Sequence, residues 1–137
     1  MSNVAFGIDL GTNNIKIYNR SDDTILVEKN MIAIENKNTL FAYGDSAFDM
    51  HEKAPGNIHI SYPLSNGVIA DIKNMELLVK YFISDLCRSN IKPGDYYIAV
   101  PTDVTEVEKR AFYDLIRDAG VKARRIMVVE KAVADGL

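Results

Sequence analysis

The chain of 137 residues is 47% hydrophobic and 26% charged, with a net charge of −3, the make-up of one soluble domain with a core of its own. The lack of a basic excess argues against nucleic acid as a partner, a single cysteine excludes an internal disulfide framework, and no apolar run is long enough to cross a bilayer. No secretory signal pattern is present, so the expected compartment is the cytoplasm.

Residues 4–10 have the β-branched and aromatic content of a strand. In a second strand Ile15 and Ile17 share one face, while Asn14, Lys16 and Tyr18 share the other. Gly11, Thr12 and Asn13 form the short polar turn between them, of the kind that joins antiparallel strands. A glycine there tolerates positive φ and lets another group approach the backbone. The turn's N–H groups make a concavity suited to an anion, and the Thr12 hydroxyl and the Asn13 and Asn14 amides add donors. Asp9 ends the first strand beside that concavity. A carboxylate repels a bare phosphate, so its presence suggests a Mg²⁺ ion between the two, held directly or through water. Lys16, on the Asn14 face, is placed to meet a phosphate as a point charge. The same residues also describe an ordinary hairpin with a Gly-Thr turn and a strand-end aspartate.

Residues 24–28 read as a third strand, antiparallel to the second because the connection is short. Residues 31–35 and 40–43 form a strand pair around a turn at 36–38. A short helix over 44–52 is closed by Pro55-Gly56-Asn57. Extended segments follow at 58–62 and 68–70. His51 and His59 fall in this stretch, apart from the first turn, and read as surface or loop histidines.

Asp71 or Asn74 caps a long helix over 75–88, with Met75, Leu78, Phe82 and Leu86 on one face. Cys87 continues the apolar pattern and reads as a small buried hydrophobe, with nothing nearby to activate a thiol. Residues 96–100 are continuously apolar, as in a strand buried on both faces of a parallel sheet. Thr105 and Glu108 make a capping box that opens a second helix. Its core stripe is Val107, Ala111, Leu115 and Ala119, and Gly120 stops it. Residues 125–129 are the last buried strand, and Glu130 starts a further helix. Three antiparallel strands, a small mixed insert, then helix, strand, helix, strand define an α/β fold with right-handed crossovers.

The first turn resembles the opening phosphate loop of the actin and heat-shock-70 ATPase superfamily, and the topology resembles a ribonuclease-H-like half-domain. Five collinear pieces are similar to the MreB family of bacterial actins. They are residues 6–12, residues 54–58, Tyr62-Pro63-Leu64 with residues 67–71, Tyr81-Phe82-Ile83, and Val100-Pro101-Thr102 followed by residues 105–111. The resemblance implies the first half of an actin-type ATPase. Residues 1–30 and 67–137 would be subdomain IA, residues 31–66 an inserted α+β subdomain IB, and the second half of the fold would be absent. It also implies ATP with Mg²⁺ between the halves. Gly11, Thr12, Asn13 and Asn14 match the phosphate-loop positions, Lys16 a phosphate-contacting lysine, and Asp9 the carboxylate that orders the metal's water shell.

In the family, a Glu-Glu-Pro pattern supplies the carboxylate that orients the attacking water, with the glutamate beside the proline favoured. Here the pattern is Glu130-Lys131-Ala132. Aligned without a gap, Lys131 stands at the favoured position, and Glu130 takes the catalytic role only if the helix starts one residue earlier. A charged lysine accepts no proton but can pair with a γ-phosphate. The expectation is nucleotide binding with slow or altered hydrolysis in an intact protein, and no activity from half a cleft. The implied function is an ATP-dependent cytoskeletal filament subunit that partners itself and the cell-shape and cell-wall synthesis machinery. Residues 1–4 are too short for an amphipathic anchor and the loop at 90–94 exposes only Ile91, which argues against direct membrane binding by this half. Membrane association through partners stays open. The competing readings are a heat-shock-70-like chaperone ATPase and a plasmid-partition or organelle-positioning actin.

Overall fold

The computed structural model describes residues 4–11, 13–36, 39–65, 68–101 and 103–131. In chain order its elements are β1 (Val4–Leu10), β2 (Asn14–Asn19), β3 (Thr24–Lys29), β4 (Ile32–Glu35), β5 (Thr39–Tyr43), α1 (Asp45–Met50) and β6 (Ile58–Ser61). There follow β7 (Leu64–Ser65), β8 (Val68–Ile69), α2 (Ile72–Leu86), β9 (Gly94–Val100), α3 (Glu106–Asp118) and β10 (Ala123–Glu130).

A five-stranded sheet in the order β10-β9-β1-β2-β3 carries the fold. β1, β2 and β3 are antiparallel neighbours, and β9 and β10 run parallel to β1 on its other side. Strand alternation divides the side chains. Phe6, Ile8, Leu10, Ile15, Ile17, Tyr96, Ile98 and Val100 turn to one face and are buried in a single cluster with Met75, Leu78 and Phe82 of α2 and Phe112, Leu115 and Ile116 of α3. Phe6 and Tyr96, directly paired across β1 and β9, stack with centroids 5.0 Å apart, and the Tyr96 hydroxyl donates to the Val121 carbonyl at 2.8 Å. Burying each such ring contributes about 1.5–3 kcal/mol.

The opposite face carries no helix among the described residues. Tyr18, Ile25, Val27, Met127 and Val129 are partly or largely exposed there. β10, expected as a buried strand, is a half-exposed edge for this reason. The expectation of two covered faces rested on apolar content, and only one face receives α2 and α3.

A second sheet, β5-β4-β6, lies in the chain between β3 and α2. With α1 it encloses a small cluster of Met31, Ala33, Ala47 and Ile58. It is tied to α2 by Tyr43, whose hydroxyl donates to Asp85 at 2.7 Å and whose ring stacks on Tyr81. Gly44, at φ +65°, makes the turn into α1, where a Cβ would run into the Glu28 carboxylate and the Phe82 ring.

Three local readings change. α2 begins three residues earlier than expected, because Asp71, in extended conformation, caps it and accepts from the Asn74 N–H at 3.1 Å. The Thr105–Glu108 capping box of α3 forms as expected, yet Val107 is 79% exposed and lies off the core stripe. At 100° per residue it stands about 80° away from Leu115, and Phe112, Leu115, Ile116 and Ala119 carry the packing instead. At the other end, β10 runs through Glu130, and the Lys131 N–H continues the pairing by donating to the Val100 carbonyl at 2.6 Å. The helix expected onward from Glu130 therefore does not begin there, and residues 132–137 lie outside the described residues.

Candidate functional site

The carboxyl ends of the parallel strands β1, β9 and β10 meet at one edge of the main sheet, the position where open α/β sheets receive ligands. Asp9, Gly11, Asn13, Asn14, Lys16 and Lys131 line one open cavity of about 280 Å³ at this edge. Thr12, expected among them, lies outside the described residues.

The hairpin turn positions the donors. The Gly11 N–H donates to the Asn14 carbonyl at 2.9 Å and closes the turn. That N–H is thus committed to the turn rather than offered to an anion, as the sequence had suggested. The glycine is needed for proximity, since a Cβ would lie 2.8 Å from the Asn14 oxygen.

Asn30 holds the turn from behind. Its side chain is buried, its Nδ2 donates to the Gly11 carbonyl at 2.9 Å, and its backbone N–H donates to the Asn13 carbonyl at 2.9 Å. Two carbonyls that would repel an anion are thereby engaged. Sequence reasoning missed Asn30. The register contained the signal: Lys29 pairs with Asn14, so the next residue along must meet Asn13.

Charge is brought together from three strands. Asp9 lies directly across β1 and β2 from Lys16. Lys131, just past β10, places its Nζ 2.8 Å from Asp9 Oδ1. Oδ1 is shielded from solvent and has no aligned hydrogen-bond donor, so the contact is an ion pair. Two ammonium groups and one carboxylate leave the cavity lining with a charge of +1, suited to an anion with several oxygens.

Glu130 is not brought to this cavity. Strand parity turns it with Val128 and Ile126 toward the helix side, where its carboxylate lies 3.8 Å from Lys109 Nζ on α3. The catalytic role expected for Glu130 needed a helix start that the structure replaces with strand. Lys131, one residue on, falls on the Asp9 side by the same parity.

Other candidates lie elsewhere. Cys87, half-buried at the end of α2, has its thiol pushed up by burial, which works against a nucleophile. His51 stacks on Phe48 beside α1, and His59 sits in β6. A second hollow of about 320 Å³ on the helix-free face shares Asp9 and Lys16, but Tyr18, Ile25, Ala99 and Val129 make its walls largely apolar. No helix among the described residues is long and apolar enough to cross a membrane.

Comparison with known proteins agrees with this architecture. The profile of the MreB/Mbl protein family matches residues 3–137. The cell shape-determining protein Mbl of Bacillus cereus is 36% identical over 132 residues, which cover 95% of this chain and 40% of that protein. The cell shape-determining protein MreB of Escherichia coli is 33% identical over 134 residues, covering 93% of this chain and 38% of that protein. The crystal structure of MreB5 of Spiroplasma citri bound to AMPPNP superposes with a TM-score of 0.83 at 32% identity, covering 95% of this chain and 39% of that one. The chain thus spans about two fifths of the length of these relatives.

Proposed function

The chain belongs to the MreB/Mbl family, and on that premise we propose that it supplies the phosphate-facing wall of an ATP cleft in an actin-like filament subunit. The observation that carries the reading is the +1 cavity of Asp9, Gly11, Asn13, Asn14, Lys16 and Lys131 at the carboxyl edge of the sheet. The solved relative from Spiroplasma citri was crystallised with AMPPNP, a nucleotide of the same charge pattern. The family supports the actin-type reading over a chaperone ATPase, and the relatives' names favour a part in cell shape over partition of plasmids.

In this reading, residues 1–30 and 67–137 act as subdomain IA and residues 31–66 as subdomain IB. The amides of Asn13 and Asn14 orient the terminal phosphates, and Lys16 and Lys131 neutralise them. The residues present do not fit the Mg²⁺ that the resemblance implies, because Asp9 Oδ1, the shielded oxygen, is already met by Lys131 Nζ at 2.8 Å. With Glu130 turned to Lys109, Asp9 is the one carboxylate among the cavity residues, so hydrolysis is slow. In the same reading, filament subunits associate with one another in the cytoplasm and act in placing cell-wall synthesis.

The test is ATP binding by isothermal titration, on a polypeptide as long as the relatives and containing this chain. Lys16→Ala is expected to weaken ATP by about tenfold, the loss of one charge-assisted contact. Unchanged affinity would remove the cavity from the nucleotide site. Electron microscopy of the same polypeptide with ATP is expected to show filaments, and their absence over a range of concentrations would count against the assembly reading.

A further inference from the structure

Lys131 holds the shielded oxygen of the one carboxylate that lines this cavity. Lys131 Nζ is 2.8 Å from Asp9 Oδ1, and that oxygen is closed to solvent. A cation approaching Oδ1 must first displace the ammonium. The lysine is not loosely placed, because its own N–H is tied to the Val100 carbonyl and strand parity keeps its side chain on the Asp9 face. Lys16 stands across from Asp9 as a second positive group. Glu130, the other acid at this edge, faces Lys109 and supplies no second ligand. Among the described residues no three His, Cys, Asp or Glu side chains gather where they could hold a metal. A divalent ion entering this cavity meets net positive charge, whereas a polyphosphate meets the attraction it needs.

We propose that Lys131 is a tethered counter-cation of the phosphate cavity: its ammonium holds the seat beside Asp9 that a divalent ion would take, and polyphosphate binds here with little need of divalent metal. The inference rests on the phosphate-cavity reading above and adds how the site treats metal. On arrival of a polyphosphate, the ammonium bridges Asp9 and a phosphate oxygen, the position a hydrated Mg²⁺ would fill. A lysine is a compact point charge on a flexible stem and can make that bridge without fixed geometry.

The experiment titrates the 137-residue chain with inorganic tripolyphosphate, once with excess Mg²⁺ and once with EDTA, by calorimetry. The wild-type chain is expected to bind about equally in both, within roughly threefold, whereas Lys131→Ala and Lys131→Gln lose about tenfold or more in EDTA and recover with Mg²⁺. A second readout uses Mn²⁺ alone. Amide signals around Asp9 should stay sharp in the wild type and broaden in Lys131→Gln, where the seat is open. The inference is overturned if the wild type depends on Mg²⁺ as strongly as the variants, or if the variants bind as well as the wild type in EDTA. If no form binds tripolyphosphate in either condition, the phosphate-cavity reading fails, and the inference falls with it.

Discussion

Replacing Asn30 tests how the turn is held. The residue is 1% exposed, and its Nδ2 donates to the Gly11 carbonyl at 2.9 Å across nineteen residues of chain. Asn30→Ala deletes that donor and leaves a half-buried carbonyl without its partner, while the backbone bond to the Asn13 carbonyl survives. Leaving such a group unsatisfied costs about 1–3 kcal/mol, and the small void adds to it. Taking about 2 kcal/mol, Tm should fall by roughly 6–10 °C for a chain of this size. Asn30→Asp preserves the shape but presents an oxygen to the Gly11 oxygen, so it should cost at least as much. Thermal unfolding by circular dichroism measures both, and amide exchange locates the damage at Gly11 and Asn13. A loss below about 1 °C in Asn30→Ala, or an Asn30→Asp variant as stable as the wild type, would refute the reasoning.

Three further outcomes follow from local geometry. Gly11→Ala places a methyl 2.8 Å from the Asn14 oxygen, so the turn must open, with a stability loss of about 1–3 kcal/mol in urea unfolding. Thr105→Ala removes the side chain that accepts from the Glu108 N–H at 3.1 Å, and should cost about 1 kcal/mol without altering phosphate binding. The phenols of Tyr43 and Tyr96 are raised above their ordinary value, Tyr43 by burial and then its bond to Asp85, Tyr96 by burial first. A raised folded-state pKa means stability is fully present below the unfolded value of about 10 and is lost as pH rises beyond it. Absorbance at 295 nm should therefore show late-titrating tyrosines coupled to alkaline unfolding, and Tyr43→Phe should lessen that loss.

Much of the fold is legible in the chain because local and global signals agree. The β-branched and aromatic content of β1, the alternation in β2, the Thr105–Glu108 box and the Gly120 stop each follow from short-range chemistry that tertiary contacts did not override. The misreadings share a different cause. Val107 is apolar and near the right spacing, but the position of the helix against the sheet, not the sequence, selects the buried face. The chain pattern puts a helix start at Glu130, whereas backbone pairing with β9 keeps it in strand and fixes which way it points. The site was legible where its residues lie in one hairpin: Asp9, Asn13, Asn14 and Lys16 border one cavity. It was not legible where partners come from afar. Asn30 enters through strand register, and the Lys131 contact with Asp9 spans nearly the whole chain.

The central claim, that this hairpin and the ends of its neighbouring strands hold the phosphates of a nucleotide, is most directly tested by titrating the ¹⁵N-labelled chain with ATP and mapping amide shifts. The account predicts saturable changes concentrated at Asn13, Asn14, Lys16 and Lys131. Changes confined to the helix-free face around Tyr18, Ile25 and Val129, or none at all, would contradict it.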